Sequence, residues 1–176
     1  MQPTLYMLVG IPYSGKSTWV SKMLQSNPHS NDLVVLSTDA YITKYAESEG
    51  KKYQDIFADQ KKSQQFMKMA TKDLHKQLNS AVAENKAIIW DQTNLTPQTR
   101  SRNIRANKDI INKYHRVAVF FPTPASDIIQ ERMKARMDQR IPEDIVWNMA
   151  RKLQPPTTEE AFNEIWKVEM KDLQKL

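Results

Sequence analysis

The chain contains no cysteine. Disulfides, thiolate-held zinc and a cysteine nucleophile are therefore excluded. It has only three histidines, and none are spaced H-x-x-x-H, which argues against a histidine metal site. Its longest apolar runs are strand-length, far below the roughly 20 residues a membrane-crossing helix needs. The opening Met1-Gln2-Pro3-Thr4 has no basic stretch ahead of an apolar one, so no signal peptide is expected there. These absences predict a soluble, cytoplasmic protein with no membrane partner. Glycine is the most informative scarcity. There are three in 176 residues, and two of them stand within one stretch of eight.

That stretch, Gly10-Ile11-Pro12-Tyr13-Ser14-Gly15-Lys16-Ser17, fits G-x-x-x-x-G-K-[ST] at every defined position. In such a loop successive backbone N–H groups turn inward onto phosphate oxygens. The second glycine allows an approach that a Cβ would block. Lys16 then reaches the β- and γ-phosphates, the Ser17 hydroxyl can ligate Mg²⁺, and the helix that follows presents its positive end. The flanks agree. Leu5 to Val9 is a short apolar run that reads as a buried strand, and Ser17 to Leu24 has helical character.

At 176 residues the chain is expected to form one domain, 1–176, and its 40% hydrophobic residues suffice for a core. Leu33 to Ser37 reads as a second buried strand that delivers Asp39 at its carboxyl end, the edge where open α/β sheets bind ligands. Tyr41 to Gly50 reads as a short helix and turn. From about Asp55 to Glu84 Phe66, Ala70, Leu74, Leu78 and Val82 recur every four residues, so a long crossover helix turns one stripe to the core. The lysines and glutamines between them read as a solvated face. Ala87 to Trp90 is a third strand and delivers Asp91, then Gln92-Thr93-Asn94. Thr96 caps a helix with Pro97 at its first position, running to about Lys113. Val117 to Phe121 is a fourth strand. A helix from about Ala125 carries Arg132, Arg136 and Arg140, before a hinge at Ile141-Pro142. Ile145, Met149 and Leu153 mark another helix, and Ile165 to Val168 a fifth strand. Alternating strands and helices predict a parallel α/β sandwich in three layers.

Asp91 ends an apolar strand, where a carboxylate can hold Mg²⁺ or simply cap the next turn. Asp39 is a candidate general base, with a metal-water ligand or helix cap as the other readings. Arg132, Arg136 and Arg140 stand at i, i+4 and i+8 and would share one face if the helix continues that far. Beside a phosphate loop they suggest a lid over about 130–145, with Arg136 foremost. Thr93 and Asn94 can organise the loop after Asp91 or act as ordinary turn residues. The net charge of +6 favours an anionic partner without identifying it. Arg100, Arg102, Arg105 and Lys108 could touch a nucleic-acid backbone or be ordinary surface charge.

Together these pieces resemble the kinase domain of polynucleotide kinase–phosphatases. The resemblance is carried by G-x-P-x-S-G-K-S-T over Gly10 to Thr18, Asp39 after the second strand, Asp91-Gln92-Thr93-Asn94 after the third and the arginines from Arg132 to Arg140. Pro155-Pro156-Thr157 and Glu159-Glu160-Ala161-Phe162 before the last strand are also similar to that domain's end. The resemblance covers nearly the whole chain. It implies a P-loop kinase-type sandwich of about five parallel strands with an arginine-bearing helical lid, ATP as donor, Mg²⁺, and a DNA or RNA 5′-hydroxyl as acceptor. It implies Lys16, Asp39 and Arg136 as catalytic residues. Gly10, Pro12, Tyr13, Ser14, Gly15, Lys16, Ser17, Thr18, Arg132, Arg136 and Arg140 would bind ATP. Ser17 and Asp91 would hold the metal, and Asp39, Thr93, Asn94 and Arg100 the acceptor.

Two departures stand out. No D-x-D-x-T occurs, so the phosphatase half has no counterpart in these residues. The viral members carry an arginine three residues after the base aspartate, on the acceptor's 3′-phosphate, and here that residue is Ile42, which cannot pair with a phosphate. Lys44, Lys51, Lys52 or Arg100 could substitute. The other readings are a kinase of a free nucleoside or nucleotide, a kinase of a modified-base hydroxyl in DNA, and a nucleic-acid-binding P-loop NTPase with no phosphoryl acceptor.

Overall fold

Along the first strand, Leu5 and Met7 pack on one side with Leu74, Leu78, Ile88 and Ile104. Leu8, and Tyr6 beside it, pack on the other with Trp19, Val20 and Val119. A strand whose both faces meet apolar layers belongs in the middle of a sheet. The computed structural model describes residues 2–26, 32–58, 60–136 and 141–169, and it places this strand, β1 (Thr4–Val9), at the centre. The other strands are β2 (Leu33–Leu36), β3 (Ala87–Trp90), β4 (His115–Phe120) and β5 (Glu164–Lys167). The order is β2-β3-β1-β4-β5, and every pairing is parallel. This is the expected five-stranded α/β sandwich. Helix α1 (Lys16–Ser26) supplies Trp19 and Val20 to one face, and α3 (Gln60–Ala83) supplies Leu74, Leu78 and Val82 to the other.

The helices depart from expectation in four places, each with a local cause. The helix after β2 starts earlier than Tyr41: α2 spans Thr38–Ser48, because Ser37 takes the extended conformation of an N-cap directly after the strand. Asp39 therefore sits in a helix's first turn rather than at a strand end, where the helix dipole favours a negative charge. The long segment from Asp55 divides into a 3₁₀ turn, Tyr53–Ala58, and α3. Tyr53 and Ile56 of that turn fold into a cluster with Ile42, Ala46 and Phe66. The helix begun at Thr96 is two helices, α4 (Pro97–Ile104) and α5 (Lys108–Lys113). Thr96 caps the first through Thr99 N–H, as expected. Asn107 caps the second, its side-chain oxygen accepting from Asp109 N–H, after α4 has already ended with Arg105 as its C-cap. Finally, α6 (Ser126–Ala135) stops before Arg136, which has left helical geometry at φ −106° and ψ 67°. The arginines thus form no continuous helical ladder, and Arg140 lies outside the described residues. Helix α7 (Glu143–Lys152) follows.

Candidate active site

The phosphate-type loop leaves β1 at Gly10, whose N–H is held by Thr93 carbonyl at 3.0 Å. A Cβ at Gly10 would stand 2.8 Å from Ser14 Oγ and 2.9 Å from Phe121 Cβ. Gly10→Ala therefore forces the loop off its base. The expected loss is about 1–3 kcal/mol, as for other overpacked sites, read as a lower urea midpoint with an unchanged slope. Two residues of the loop hold left-handed backbone, Tyr13 at φ 67° and Gly15 at φ 104°. Glycine adopts this without strain and tyrosine does not. Tyr13 is fixed from two sides. Its carbonyl accepts from Arg132 Nη1, and its hydroxyl accepts from Ile141 N–H at 3.0 Å. Its ring packs with Ile11, Ile129, Met133 and Val146.

Helix α1 begins at Lys16, so the N–H groups of Lys16, Ser17 and Thr18 lack helical partners and point out at the loop. Ser14 Oγ is buried without a hydrogen-bond partner. An orphaned hydroxyl, three unpaired donors and a lysine on one concave loop fit a polyphosphate. Lys16 Nζ donates to Gly10 carbonyl at 2.9 Å and to Ile11 carbonyl at 2.7 Å. Burial lowers its pKa to about 8, against the raising influence of Asp91 and Asp39, with Arg136 lowering it further. A polyphosphate against this ammonium favours the charged form and raises the pKa again. Binding above pH 8 therefore takes up a proton. ATP affinity is expected to fall as pH rises from about 8 toward 10, by as much as about tenfold per unit. Calorimetry in two buffers of different ionisation heat reads that uptake, and Lys16→Arg, charged throughout, abolishes it.

The loop opens on a cleft of about 800 Å³. Pro12, Tyr13, Gly15, Lys16, Ser17 and Thr18 line its donor end, with Arg132 and Arg136 beside them. Gly10 and Ser14 belong to the loop but do not line the cleft. Asp39, Asp91, Thr93 and Asn94 line the middle. Asp91 follows β3, held by its N–H on Leu36 carbonyl at 2.8 Å. Burial raises its pKa, and the charges of Lys16 and Arg136 oppose that rise while Asp39 adds to it. Two carboxylates and two cations thus share one field. Among the described residues no three acidic or histidine side chains gather for a metal. Mg²⁺ does not need them, since it retains waters and substrate phosphates beside one or two protein ligands. Ser17 and Asp91 have the donor chemistry for that.

Several residues stand differently from the expectation. Arg100 does not line the cleft. It is fully buried, its Nε and Nη2 on the Glu160 carboxylate at 2.7 and 2.6 Å and its Nη1 on the carbonyls of Asn94 and Gln154. A guanidinium so committed holds loops together and is not placed to bind an acceptor. Asn94, at φ 45°, spends its side chain on Leu8 carbonyl and Asn103. Of the substitutes for an arginine at Ile42, Lys51 pairs with Glu49 at 3.0 Å, and Lys44 and Lys52 do not reach the cleft. Ile42 is itself buried among Ala46, Tyr53 and Phe66. The far end of the cleft is instead lined by Arg102 of α4 and by Thr71 and His75 of α3. The residue sequence reasoning missed is Tyr53. Its hydroxyl donates to Asp39 Oδ1 at 3.0 Å, and burial and that carboxylate raise its pKa, keeping it protonated as a donor. Nothing in the spacing of Asp39 and Tyr53 announces the contact.

Comparison with known proteins gives the same picture of the fold. The family model described as an AAA domain matches residues 5–156. A Chloroflexus aurantiacus protein described as a candidate kinase superimposes with a TM-score of 0.72 at 13% identity, over 100% of this chain and 92% of that one. A chain of the Pnkp1/Rnl/Hen1 RNA repair complex gives 0.64 at 17% identity over 87% of this chain. A gluconokinase from Sinorhizobium meliloti gives 0.51 at 15%, over 94% of this chain and 82% of that one. The chain spans 44% and 38% of two RNA repair chains that it matches. At these identities the likeness is one of fold, and the fold is that of P-loop kinases. Among the described residues no helix is long and apolar enough to cross a membrane.

Proposed function

The chain belongs to the AAA domain family, and from that premise we propose that it is an ATP-dependent kinase acting on the 5′-hydroxyl of DNA or RNA. The observation that carries the reading is the meeting of Lys16, Asp91, Arg136 and Asp39 in one cleft, with the Tyr53 hydroxyl donating to Asp39. In this reading Lys16 and Arg136 meet the charge that develops on the transferring phosphoryl group. Asp39 takes the acceptor's proton. Tyr53 occupies Oδ1, which leaves Oδ2 to accept the proton as the acceptor oxygen bonds to the γ-phosphorus. The bond from that phosphorus to the β–γ bridging oxygen breaks, and ADP leaves. Mg²⁺, held by Ser17 and Asp91 with the phosphates, would supply charge neutralisation on the donor.

A small-molecule acceptor is the second reading. It is favoured by Ile42, since an apolar side chain stands where the viral polynucleotide kinases place a phosphate-binding arginine. Transfer from γ-labelled ATP decides between them. The acceptors are a 5′-OH oligonucleotide, a nucleoside 3′-monophosphate, a nucleoside and duplex DNA with a hydroxymethylated base, with Lys16→Ala as the background. Transfer to oligonucleotide ends, absent from that background, is the expected result. Transfer to the small acceptors alone moves the assignment to the second reading. ATP hydrolysis with no labelled acceptor would overturn the kinase assignment altogether.

A further inference from the structure

Helix α3 carries Lys61, Lys62, Lys68, Lys72 and Lys76 against one acidic residue, Asp73. Asp73 is already engaged, accepting a hydrogen bond from the Tyr45 hydroxyl. Elsewhere on the surface lysines meet acids: Lys51 with Glu49, Lys86 with Glu84 and Lys113 with Asp109. Lys68, Lys72 and Lys76 are exposed and form no ion pair among the described residues. They recur at i, i+4 and i+8, so they make a row on one helix face with steps of about 6 Å. One residue back, about 100° around the helix, is the row Met67, Thr71 and His75. That second row lines the cleft. The lysines are thus the next row outward from the cleft wall, on the side of α3 turned away from the buried stripe of Phe66, Ala70, Leu74 and Leu78. Like charges at i, i+4 destabilise a helix, and no acid among the described residues is paired with them to offset it.

We propose that Lys68, Lys72 and Lys76 bind successive phosphates of a single-stranded nucleic acid whose 5′ end lies at Asp39, so that the strand leaves the cleft across α3. The inference rests on the polynucleotide reading above and gives it a path. The step between the lysines is close to the step between phosphates along an extended strand. Ammonium groups on flexible stems contact phosphate without reading bases, so this track is indifferent to sequence. It also accounts for a polynucleotide acceptor in a chain with Ile42: grip on the acceptor comes from phosphates further along the strand rather than from the first.

The test replaces Lys68, Lys72 and Lys76 together by glutamine, all three being exposed and outside the core. Fluorescence anisotropy reads binding of a short labelled single strand over a salt series. Each lost contact lowers the log–log salt slope by about 0.7 for a single strand, so the triple variant is expected to be shallower by about 2. In the transfer assay KM for the oligonucleotide rises while KM for a nucleoside 3′-monophosphate and kcat stay unchanged. An unchanged slope, or no binding of the strand by the parent protein, overturns the inference. Anisotropy needs no turnover, so a protein that binds the strand through these lysines yet transfers no phosphate would overturn the kinase reading and leave the track standing.

Discussion

Replacing Asp39 by asparagine is expected to lower kcat for phosphoryl transfer by about 10²- to 10⁴-fold, the range of a lost general base, without weakening ATP binding at neutral pH. Asparagine has the same shape and still accepts a hydrogen bond from Tyr53, whose hydroxyl lies 3.0 Å from Oδ1. What it cannot do is take a proton from an attacking hydroxyl. The donor end is untouched, because the loop, Lys16 and the start of α1 do not depend on Asp39 for a hydrogen bond. The substitution does remove a negative charge that raises the Lys16 pKa. The pH at which ATP affinity begins to fall should therefore move downward in the variant. Single-turnover transfer separates the two effects, since it reads chemistry at saturating ATP. A variant that transfers at the parent rate would remove Asp39 from the mechanism. Tyr53→Phe should act in the same direction but more weakly, because it frees the carboxylate to rotate without removing it.

Replacing Glu160 by alanine is expected to cost about 3–5 kcal/mol of stability, the penalty of leaving one partner of a buried ion pair alone. For a domain of this size that is a fall in Tm of about 6–20 °C. Arg100 is wholly buried, and Glu160 is its only carboxylate partner among the described residues. With that carboxylate gone, a guanidinium remains in the interior on two carbonyls. The Thr157 N–H, now on Glu160 Oε1 at 3.0 Å, would lose its acceptor as well. Transfer per folded molecule should change little, because the pair stands behind the cleft rather than in it. A thermal melt together with an activity measurement well below Tm distinguishes this structural role from the acceptor-binding one expected for Arg100. Loss of acceptor affinity at full stability would restore the latter.

The contrast between these two residues shows what was legible beforehand. All five strands were visible because short β-branched and apolar runs bounded by turns have few other uses in an α/β fold. The donor loop was visible because its glycines and lysine are fixed by phosphate geometry, and the P-loop kinase domain followed from it. Arg100 was misjudged because its partner lies 60 residues away, and a lone arginine on a helix looks the same whether it faces solvent or Glu160. The break between α4 and α5 rests on the cap at Asn107, a residue that also occurs inside helices. The Asp39–Tyr53 contact depends on how the 3₁₀ turn folds back over α2, which local periodicity does not encode. Lys68, Lys72 and Lys76 looked like a solvated face because the absence of an ion pair to them among the described residues is a three-dimensional fact.

Tyr13 occupies one of the positions that the G-x-x-x-x-G-K-[ST] pattern leaves as a wildcard. In this chain it is a tie point. Its carbonyl is tied to Arg132, its hydroxyl to the backbone of Ile141, and its own backbone sits inside the donor loop. The loop is thereby tied both to α6, through Arg132, and to the backbone at Ile141. In the proposed mechanism the donor loop and the residues flanking Arg136 are therefore one connected unit, joined through a side chain that the motif leaves unspecified.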